Sequence, residues 1–336
     1  AEGQRLDRWI RKSFPQITQG RIEKMCRKGE LRVDGGRVKA SSRVETGQVV
    51  RIPPLADSDM KPAEPRAVQV SEADAKMIRS CVVYKDDDVL VINKPAGLAV
   101  QGGSGTTKHV DGLSEALRFD AEEKPRLVHR LDKDTSGLLA LARNRKAAQG
   151  LTAAFRHKNT RKIYWALVAG VPTPYLGEIK TGLVKAPGHG KSGEGEKMIP
   201  VETRDIDSTP GAKRAHTFYA TLYRVASRAS WIAMEPVTGR THQLRAHMAG
   251  MGHPIIGDGK YGGSGQENLG DGWGAQIGGL ISKKLPLHAR RLQFAHPVTG
   301  KVVTVTAALP DHMKESWDTF GWTEDLAADD PFEALF

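Results

Sequence analysis

Ionisable residues are most concentrated between Arg126 and Leu141, where a polar stretch separates two apolar runs. Each apolar run has the length and composition of a short strand, so the polar stretch is predicted to be a hinge between two strands. Arg130 and Asp132 lie in this hinge. A carboxylate held among cations is a candidate for acid, base or nucleophilic chemistry, whereas the same charges can form an ion-paired corner that serves packing. These residues alone leave both interpretations open.

Three further segments place polar residues beside predicted strands. They are Asn93-Lys94-Pro95-Ala96-Gly97, Arg161-Lys162-Ile163-Tyr164-Trp165-Ala166-Leu167-Val168 and Gly239-Arg240-Thr241-His242-Gln243-Leu244-Arg245-Ala246-His247-Met248. Taken in order with the hinge, the four segments closely resemble the motifs of the RluA-type pseudouridine synthases. The most specific of these motifs is His-Arg-Leu-Asp-x-x-Thr-Ser-Gly, which stands at residues 129–137. The resemblance covers residues 4–310.

The resemblance implies an isomerisation of uridine, in which the bond from the sugar to N1 of uracil breaks and a bond to C5 forms. Asp132 matches the catalytic aspartate, which attacks the sugar or the base or removes a sugar proton; the sequence does not choose among these routes. Arg240 matches the arginine that pairs with this aspartate and would hold its carboxylate ionised and oriented. Tyr164 matches the tyrosine that lies against the target base, where its hydroxyl can handle a proton at C5.

Four more residues are implied as substrate-binding residues. Arg130 matches the arginine beside the catalytic aspartate and is expected to fill the space left by a flipped base or to contact its phosphate. Lys94, in the Asn-Lys-Pro-x-Gly turn, is a candidate of lower rank. His242 and Arg245, close to Arg240, have the same rank. For these last three residues the alternative is a structural role.

No metal or cofactor site is predicted. His242, His247 and His253 are spaced by five and six residues, which does not place neighbouring histidines on one face of a helix, and the two cysteines are far apart in the chain. Gly190-Lys191-Ser192 lacks the glycine that a phosphate-binding loop requires at position 185. The isomerisation takes no atom from a cofactor.

Positive charge is concentrated at the start of the chain. The net charge is +11, and residues 1–52 hold 13 Lys and Arg against 6 Asp and Glu. This imbalance favours a nucleic-acid partner. No segment has the broad apolar face with which a helix enters a membrane surface, so a membrane partner is not predicted.

A helix is predicted from Gln19 to Lys28, with Thr18 as its N-cap and Gly29 as its C-cap. A short strand, an Asp-Gly turn and a closing strand follow it. This order resembles the RNA-binding module named after ribosomal small-subunit protein four, which the RluC and RluD branches of the family carry ahead of their catalytic domain. The predicted RNA contacts are Arg21, Lys24, Arg27 and Lys28.

The fold class predicted for the whole chain is α+β. Short strands occur without regular alternation with helices, which favours a mixed, largely antiparallel sheet over a doubly wound parallel one. The predicted domains are a small basic α/β RNA-binding module over residues 1–55, a linker over 56–80, a catalytic domain of pseudouridine synthase type over 81–310 and an acidic C-terminal tail over 311–336, mobile from residue 323. Residues 172–214 and 262–284 are predicted to be long surface loops.

Together these observations predict a cofactor-independent RNA pseudouridine synthase that acts on structured RNA. The preferred substrate is 23S ribosomal RNA or a ribosomal assembly intermediate. The alternatives are a transfer-RNA synthase of the same family, a non-catalytic RNA-binding assembly factor, and an RNA glycosidase that does not re-attach the base. We expect a cytoplasmic protein, because no apolar run is long enough to span a membrane and charged residues stand where a secretory signal would be apolar. We also expect a monomer.

Overall fold

The computed structural model describes residues 3–55, 70–102, 106–157, 160–186, 197–262, 281–282, 284–328 and 330–335. The chain divides into two compact units, Ala1–Gln69 and Val70–Phe336. The basic segment of the sequence falls in the first unit, and the four motifs with candidate catalytic residues fall in the second.

In its described residues, 3–55, the first unit has two helices and five short strands. They are β1 (Gln4–Arg5), α1 (Leu6–Ser13), α2 (Gln19–Lys28), β2 (Arg32–Val33), β3 (Gly36–Arg37), β4 (Arg43–Val44) and β5 (Val50–Arg51). Strand β1 pairs with β4, and β2 lies between β3 and β5 in a second small sheet. The two helices and the strands enclose one apolar core that includes Leu6, Ile10, Ile22, Met25 and Leu31.

Helix α2 has the bounds and caps that the sequence predicted. The side-chain oxygen of Thr18 accepts a hydrogen bond from the backbone N–H of Arg21 (3.3 Å). At the other end Gly29 adopts a left-handed conformation (φ 71°), which glycine takes up without steric cost. Ile22 and Met25 on the inner face are fully buried, which leaves the charged residues of this helix on its outer face.

The second unit is built on one mixed sheet. Its strands are β6 (Val82–Lys85), β7 (Val89–Lys94), β8 (Arg126–Leu127), β9 (Ser136–Ala142), β10 (Thr160–Ala169), β11 (Leu176–Lys185), β12 (Met198–Val201), β13 (Lys213–Val225), β14 (Ala229–Pro236), β15 (Leu287–Ala295) and β16 (Val302–Thr306). The order is β12-β11-β13-β14-β10-β15-β9-β7-β6, with β16 paired to β15 and β8 to β9. Among the described strands, only the β9–β15 pair is parallel. The predicted α+β class with a largely antiparallel sheet is confirmed.

Five helices accompany this sheet in the described ranges. They are α3 (Glu72–Ser80), α4 (Val110–Leu113), α5 (Arg145–Arg156), α6 (Gln243–Gly250) and α7 (Asp311–Thr319). Helix α5 is the helix predicted after Asn144, whose side-chain oxygen accepts from the N–H of Ala147 (2.8 Å). None of the helices that the structure describes is long and apolar enough to cross a membrane.

Part of the predicted linker over residues 56–80 is a helix instead. Ser71 caps α3 by accepting a hydrogen bond from the N–H of Asp74 (3.1 Å), and Ile78 is fully buried in the core of the second unit. The prolines and acidic residues before Ser71 favoured a linker, and the one buried apolar residue, Ile78, was too weak a signal to predict a helix. Residues 56–69 lie outside the described ranges.

The predicted loop over residues 172–214 contains the paired strands β11 and β12. Strand β11 also pairs with β13 over eight register positions from Leu176↔Ala220 to Leu183↔Lys213, which makes it an integral part of the sheet. The glycines and charged residues of β11 favoured a loop, so the sequence did not predict this strand. Residues 187–196, and most of the predicted loop over 262–284, lie outside the described ranges.

The predicted acidic tail over residues 311–336 is packed against the sheet, and this includes Phe332 in the part that was predicted to be mobile. Trp317, Trp322 and Phe332 are buried in one core cluster with Trp165 and Trp231. Ring centroids of Trp231 and Trp317 lie 5.4 Å apart at a steep interplanar angle, the edge-to-face arrangement that aromatic pairs favour. The prediction rested on the acidic composition of this segment and overlooked the large aromatic residues that it buries.

The parallel contact between β9 and β15 is short. It extends over two register positions, His288↔Ser136 and Ala289↔Gly137. Gly137 has a φ of +109°, and a Cβ atom there would lie 2.4 Å from the carbonyl oxygen and 2.5 Å from the nitrogen of Ala289. The two strands can approach this closely only because residue 137 has no side chain.

We expect Gly137→Ala to destabilise the protein by about 3 kcal/mol or more, because the added methyl group meets backbone atoms and the backbone conformation is strained. Chemical denaturation measures this loss. Gly20→Ala in helix α2 is the matched control: its Cβ would meet nothing within 4 Å, so stability should stay equal or rise slightly. Equal stability of the two variants would contradict the close approach.

Candidate active site

The loop over residues 128–135 joins β8 to β9 and carries Asp132. Its second half is a turn in which the N–H of Thr135 donates to the carbonyl oxygen of Asp132 (3.2 Å). The Asp132 side chain is 21% exposed, so it is reachable from solvent yet mostly surrounded by protein. The structure therefore has the predicted hinge between two strands, and the Asp132 carboxylate in it is partly exposed to solvent.

The ring of His129 fixes the first half of this loop. The backbone N–H of Ala140 in β9 donates to His129 Nε2 (2.9 Å), so the ring replaces the carbonyl of a neighbouring strand. The ring also stacks on Phe155, with centroids 4.1 Å apart. Burial lowers the pKa of His129 to about 3, which keeps the ring neutral and Nε2 able to accept. Sequence reasoning gave this histidine no role.

Lys94 supports the other side of the loop from the end of β7. Its Nζ donates to the carbonyl oxygens of Pro95 (3.0 Å), Leu98 (2.8 Å) and Lys133 (3.0 Å), which uses all three ammonium protons. Burial lowers the pKa of Lys94 to about 8, against the raising effect of Asp134 and Asp132. The side chain is fully buried, so this residue positions the Asp132 loop and is not available to a substrate.

One cavity of about 280 Å³ opens beside Asp132, and we call it the Asp132 cavity. Six of the seven candidate residues of the second unit line it: Arg130, Asp132, Tyr164, Arg240, His242 and Arg245. The structure therefore brings together residues from three separate sequence motifs. Lys94 is not among the lining residues.

Tyr164 lies on β10 at the centre of the sheet, between β14 and β15. The register with β15 shifts between Ile163 and Tyr164, an irregularity of the kind that re-aims a side chain next to a site. Tyr164 is 9% exposed. Burial, reinforced by the Asp132 carboxylate, raises the pKa of Tyr164, so its hydroxyl keeps a proton at neutral pH.

His242 faces Asp132 from the loop between β14 and α6. Its Nε2 lies 3.9 Å from Asp132 Oδ2, and its Nδ1 lies 3.1 Å from the hydroxyl of Tyr261. That hydroxyl accepts from the N–H of Met198 (2.8 Å), and burial raises the pKa of Tyr261. The Nε2 side of the His242 ring therefore faces Asp132, and its Nδ1 side faces Tyr261.

Arg245, on the first turn of α6, forms a buried ion pair with Asp258. Its Nε and Nη2 donate to the two carboxylate oxygens of Asp258, each at 2.7 Å. The Asp258 side chain is fully buried, and its Oδ1 also accepts from the N–H groups of Lys260 (3.0 Å) and Tyr261 (3.2 Å). Asp258, and with it the carboxylate of Asp132, raises the pKa of Arg245 against the opposing effect of burial. Arg245 is thus a fixed cation beside Asp132.

The expected pairing of Arg240 with Asp132 is not what the structure shows. Arg240 is exposed, and its Nε donates to the carbonyl oxygen of Arg214 (3.0 Å). In the described ranges no ion pair joins Arg240 to Asp132. The physical reason is the left-handed conformation of His242 (φ 50°), which turns the chain between Arg240 and α6 so that the next arginine of the motif, Arg245, is the buried one.

Gln243 holds the loop that carries Arg240 and His242. Its Oε1 accepts from the N–H of Arg240 (3.0 Å) and from the hydroxyl of Thr238 (2.7 Å). Its Nε2 donates to the carbonyl oxygen of His216 and to the hydroxyl of Thr217, both at 2.9 Å. Sequence reasoning missed this buried amide, although its place between the two predicted site residues was a signal.

Arg130 stands at the exposed rim of the Asp132 cavity. No ion pair to its guanidinium is found in the part of the chain that the structure describes. Lys162, two residues before Tyr164, also lines the cavity and was given no role by the sequence. Burial lowers the pKa of Lys162, and Glu235 opposes this shift.

In the first unit the predicted RNA contacts differ in their surroundings. Lys24 and Arg27 are exposed on α2, whereas Glu30 lies 4.0 Å from Arg21 and 3.7 Å from Lys28. A further basic depression, which the sequence did not single out, lies along α1 and the start of α2. It is lined by Arg5, Asp7, Arg8, Arg11, Lys12, Pro15 and Gln19. Arg5 is already paired with Asp7 (2.6 Å).

The sequence matches two known families. Residues 88–250 match the RNA pseudouridylate synthase family, and residues 4–50 match the S4 domain. The chain is 37% identical to the ribosomal large subunit pseudouridine synthase C of Vibrio cholerae over 94% of this chain and 92% of that protein. The protein of the same name from Escherichia coli O157:H7 is 36% identical over 93% of this chain and 91% of its own length.

Solved structures agree with these matches. Human RNA pseudouridylate synthase domain containing 4 superposes with a TM-score of 0.56 at 28% identity, over 73% of this chain and 94% of that chain. Human RNA pseudouridylate synthase domain containing 1, at 23% identity, has the same fold with a TM-score of 0.51, over 72% and 94%. With the His-Arg-Leu-Asp motif, the cavity and the basic first unit already described, the chain belongs to the RNA pseudouridylate synthase family and carries an S4 domain.

Proposed function

We propose that this chain converts uridine to pseudouridine in large-subunit ribosomal RNA. The observation that carries the proposal is a single cavity that holds Asp132, Tyr164 and a fixed arginine in a chain of this family. The choice of ribosomal RNA is supported by similarity, over nine-tenths of the chain, to relatives named as large-subunit synthases.

The reaction keeps every atom of the base except one hydrogen, which is exchanged. The bond between C1′ and N1 breaks, the base turns, a bond forms between C1′ and C5, and the hydrogen at C5 leaves as a proton. N1 gains a proton in return, so no oxidant, reductant or cofactor is consumed. The uridine must first leave its stack, because a stacked nucleotide cannot enter a cavity in a protein.

Asp132 is the group that we propose to start the reaction. Its carboxylate either attacks the sugar or the base, or removes a proton from the sugar. Its surroundings suit each of these roles, since it is partly open to the cavity and has the Nε2 side of His242 3.9 Å away. The guanidinium of Arg245, whose pKa the Asp132 carboxylate helps to raise, supplies a fixed positive charge nearby.

Tyr164 is proposed to lie against the target base and to handle the proton at C5. Because burial raises its pKa, the hydroxyl is available as a neutral donor and acceptor rather than as a phenolate. Its position in the central strand makes the ring a rigid surface for a base.

Arg245 is proposed to take the role that the sequence analysis gave to Arg240. It is buried beside Asp132, and Asp258 fixes the plane of its guanidinium through two hydrogen bonds. A bidentate pair holds orientation better than a flexible exposed side chain does. Arg240, at the cavity rim, is proposed to contact RNA instead.

The S4 unit is proposed to bind folded RNA through phosphate contacts from two helices. Arg8, Arg11 and Lys12 supply charge on α1, and Lys24 and Arg27 supply it on α2. Phosphate contacts set position and do not select a base, so the target uridine is chosen by the fold of the RNA together with the Asp132 cavity. We further propose that the protein acts in the cytoplasm as a monomer and without a cofactor.

Tritium release from uridine C5 tests the reaction, because only a bond to C5 expels that hydrogen. We expect release from a large-subunit ribosomal RNA transcript and loss of at least about a thousandfold in Asp132→Asn. Asp134→Asn, two residues away and outside the cavity lining, should keep nearly full activity.

The outcomes separate the alternatives. Tritium release from transfer RNA alone would show that transfer RNA, and not ribosomal RNA, is the substrate. A loss of RNA mass would indicate that the base is removed and not re-attached. Tight RNA binding with no release from either RNA would contradict the proposed activity.

Comparing Arg245→Lys with Arg240→Lys tests the assignment of the arginine. Both keep the charge, but lysine cannot make the two-point contact with Asp258, so kcat should fall about 100-fold in Arg245→Lys. Arg240→Lys should change kcat less than threefold. Thermal denaturation of both variants separates a loss of fold from a loss of chemistry. A larger loss of kcat in Arg240→Lys than in Arg245→Lys would instead support the pairing of Arg240 with Asp132 that the sequence predicted.

Removing cations from the S4 unit should weaken RNA binding and its salt dependence together. Arg8→Gln with Arg11→Gln, and Lys24→Gln with Arg27→Gln, should each reduce the slope of log affinity against log salt by about 2. Binding titrations at several salt concentrations measure this slope, with Lys314→Gln, an exposed cation of helix α7, as the control. An unchanged slope in both double variants would show that RNA does not contact these helices.

A further inference from the structure

The turn over residues 255–262 follows α6 and is anchored to the central strand β10. The N–H of Ile256 donates to a carbonyl oxygen of that strand (3.0 Å). Asp258, in the turn, holds Arg245 through the two hydrogen bonds described above. Tyr261 lies in the same turn, and the mechanism proposed above gives it no part. The question is what this second side chain of the turn does.

The side chain of Tyr261 is buried, and its hydroxyl contacts two groups. It accepts from the N–H of Met198 at 2.8 Å, and it lies 3.1 Å from Nδ1 of His242. The rings of Tyr261 and His242 stand edge to face, at 89° with centroids 5.8 Å apart. The other ring nitrogen of His242, Nε2, lies 3.9 Å from Asp132 Oδ2. Tyr261 therefore holds the imidazole on the side turned away from the carboxylate.

The ring of Tyr261 contacts Arg245 as well. The Cζ atom of Arg245 lies 5.2 Å from the centroid of this ring, within the range of a cation–π interaction. Burial raises the pKa of Tyr261, and the carboxylates of Asp258 and Asp132 act in the same direction, so the hydroxyl keeps its proton at neutral pH. One buried tyrosine thus touches both groups that α6 and the loop before it bring to Asp132.

We propose that Tyr261 is a positioning residue for the isomerisation of uridine. Its hydroxyl orients the imidazole of His242 and its ring supports the guanidinium of Arg245, so that both groups keep fixed places beside Asp132. This inference rests on the proposed function. Tyr261 is not among the residues that line the Asp132 cavity, so it acts through its two neighbours and does not touch the substrate.

His242 needs such a support because its backbone does not supply one. It lies between a loop and α6 in a left-handed conformation, so pairing within a sheet does not restrain it. A contact at Nδ1 restricts rotation of the ring about its bond to Cβ. A displacement of about 1 Å near reacting atoms can lower a rate about 100-fold. Loss of the hydroxyl should therefore slow the chemical step more than it weakens RNA binding.

Tyr261→Phe removes the hydroxyl and keeps the ring. We expect kcat for tritium release from the ribosomal transcript to fall about tenfold, with KM changed less than about twofold. Tyr219→Phe is the matched control. Tyr219 is a buried tyrosine of β13 outside the cavity lining, and no side-chain hydrogen bond of its hydroxyl is found in the described ranges, so both constants should stay unchanged. A kcat for Tyr261→Phe equal to that of the control would overturn the proposal.

A second comparison separates the effect on His242 from the effect on Met198, whose N–H also loses its acceptor in Tyr261→Phe. His242→Ala should lower kcat at least about tenfold, and it leaves no imidazole to orient. Adding Tyr261→Phe to this variant should lower kcat less than about twofold further. A further loss of about tenfold would show that the hydroxyl acts through β12 and would contradict the role assigned to it.

Tyr261→Leu tests the ring, because it removes the contact with Arg245 together with the hydroxyl. We expect kcat about tenfold below that of Tyr261→Phe, and thermal denaturation of both variants checks that the fold is kept. An equal kcat in the two variants would contradict support of Arg245 by the ring.

NMR of protein with isotope-labelled histidine tests the contact without any RNA. The ring-nitrogen signals of His242, identified by their loss in His242→Ala, should move in Tyr261→Phe and stay in place in Tyr219→Phe. Unmoved signals in both variants would overturn the proposal. No tritium release by the unsubstituted protein from any RNA would instead reject the proposed function, so the two failures are distinguishable.

Discussion

The active site depends on the close approach of β9 and β15 at Gly137. This short parallel contact joins the strands that follow the Asp132 loop to the strands that include β10 and Tyr164. Gly137 pairs with Lys94 on one side and with Ala289 on the other, so a single residue without a side chain connects both halves of the sheet. The distance between the reactive carboxylate and the aromatic ring is set by backbone, which is the stiffest part of the molecule.

Around this frame, buried polar groups are satisfied before any substrate arrives. The ammonium of Lys94 binds three carbonyl oxygens, the amide of Gln243 makes four hydrogen bonds, and Arg245 is matched by Asp258. Each would be costly if left unpaired. The groups that remain open to the cavity, above all Asp132, are those for which we propose a reaction.

Local signals in the sequence predicted local structure well. Thr18, Gly29 and Asn144 fix helix ends through contacts within a few residues, and the hinge motif predicted the loop of Asp132. The choice between Arg240 and Arg245 could not be made from spacing, because one left-handed residue, His242, decides which arginine turns inward. Strand β11 and the packed C-terminal segment were missed for a related reason: partners distant in the chain stabilise them, and composition does not reveal such partners.

The ion pair between Arg161 and Asp330 has a consequence for synthesis of the protein. Arg161 stands at the start of the strand that carries Tyr164, and its Nη2 lies 2.7 Å from Asp330 Oδ1, 169 residues later. Phe332, close by, is fully buried in the tryptophan cluster behind that strand. The rear side of the central strand is therefore covered only after residues 330–332 have emerged from the ribosome. A strand in the middle of the chain thus waits for packing partners that are synthesised 169 residues later.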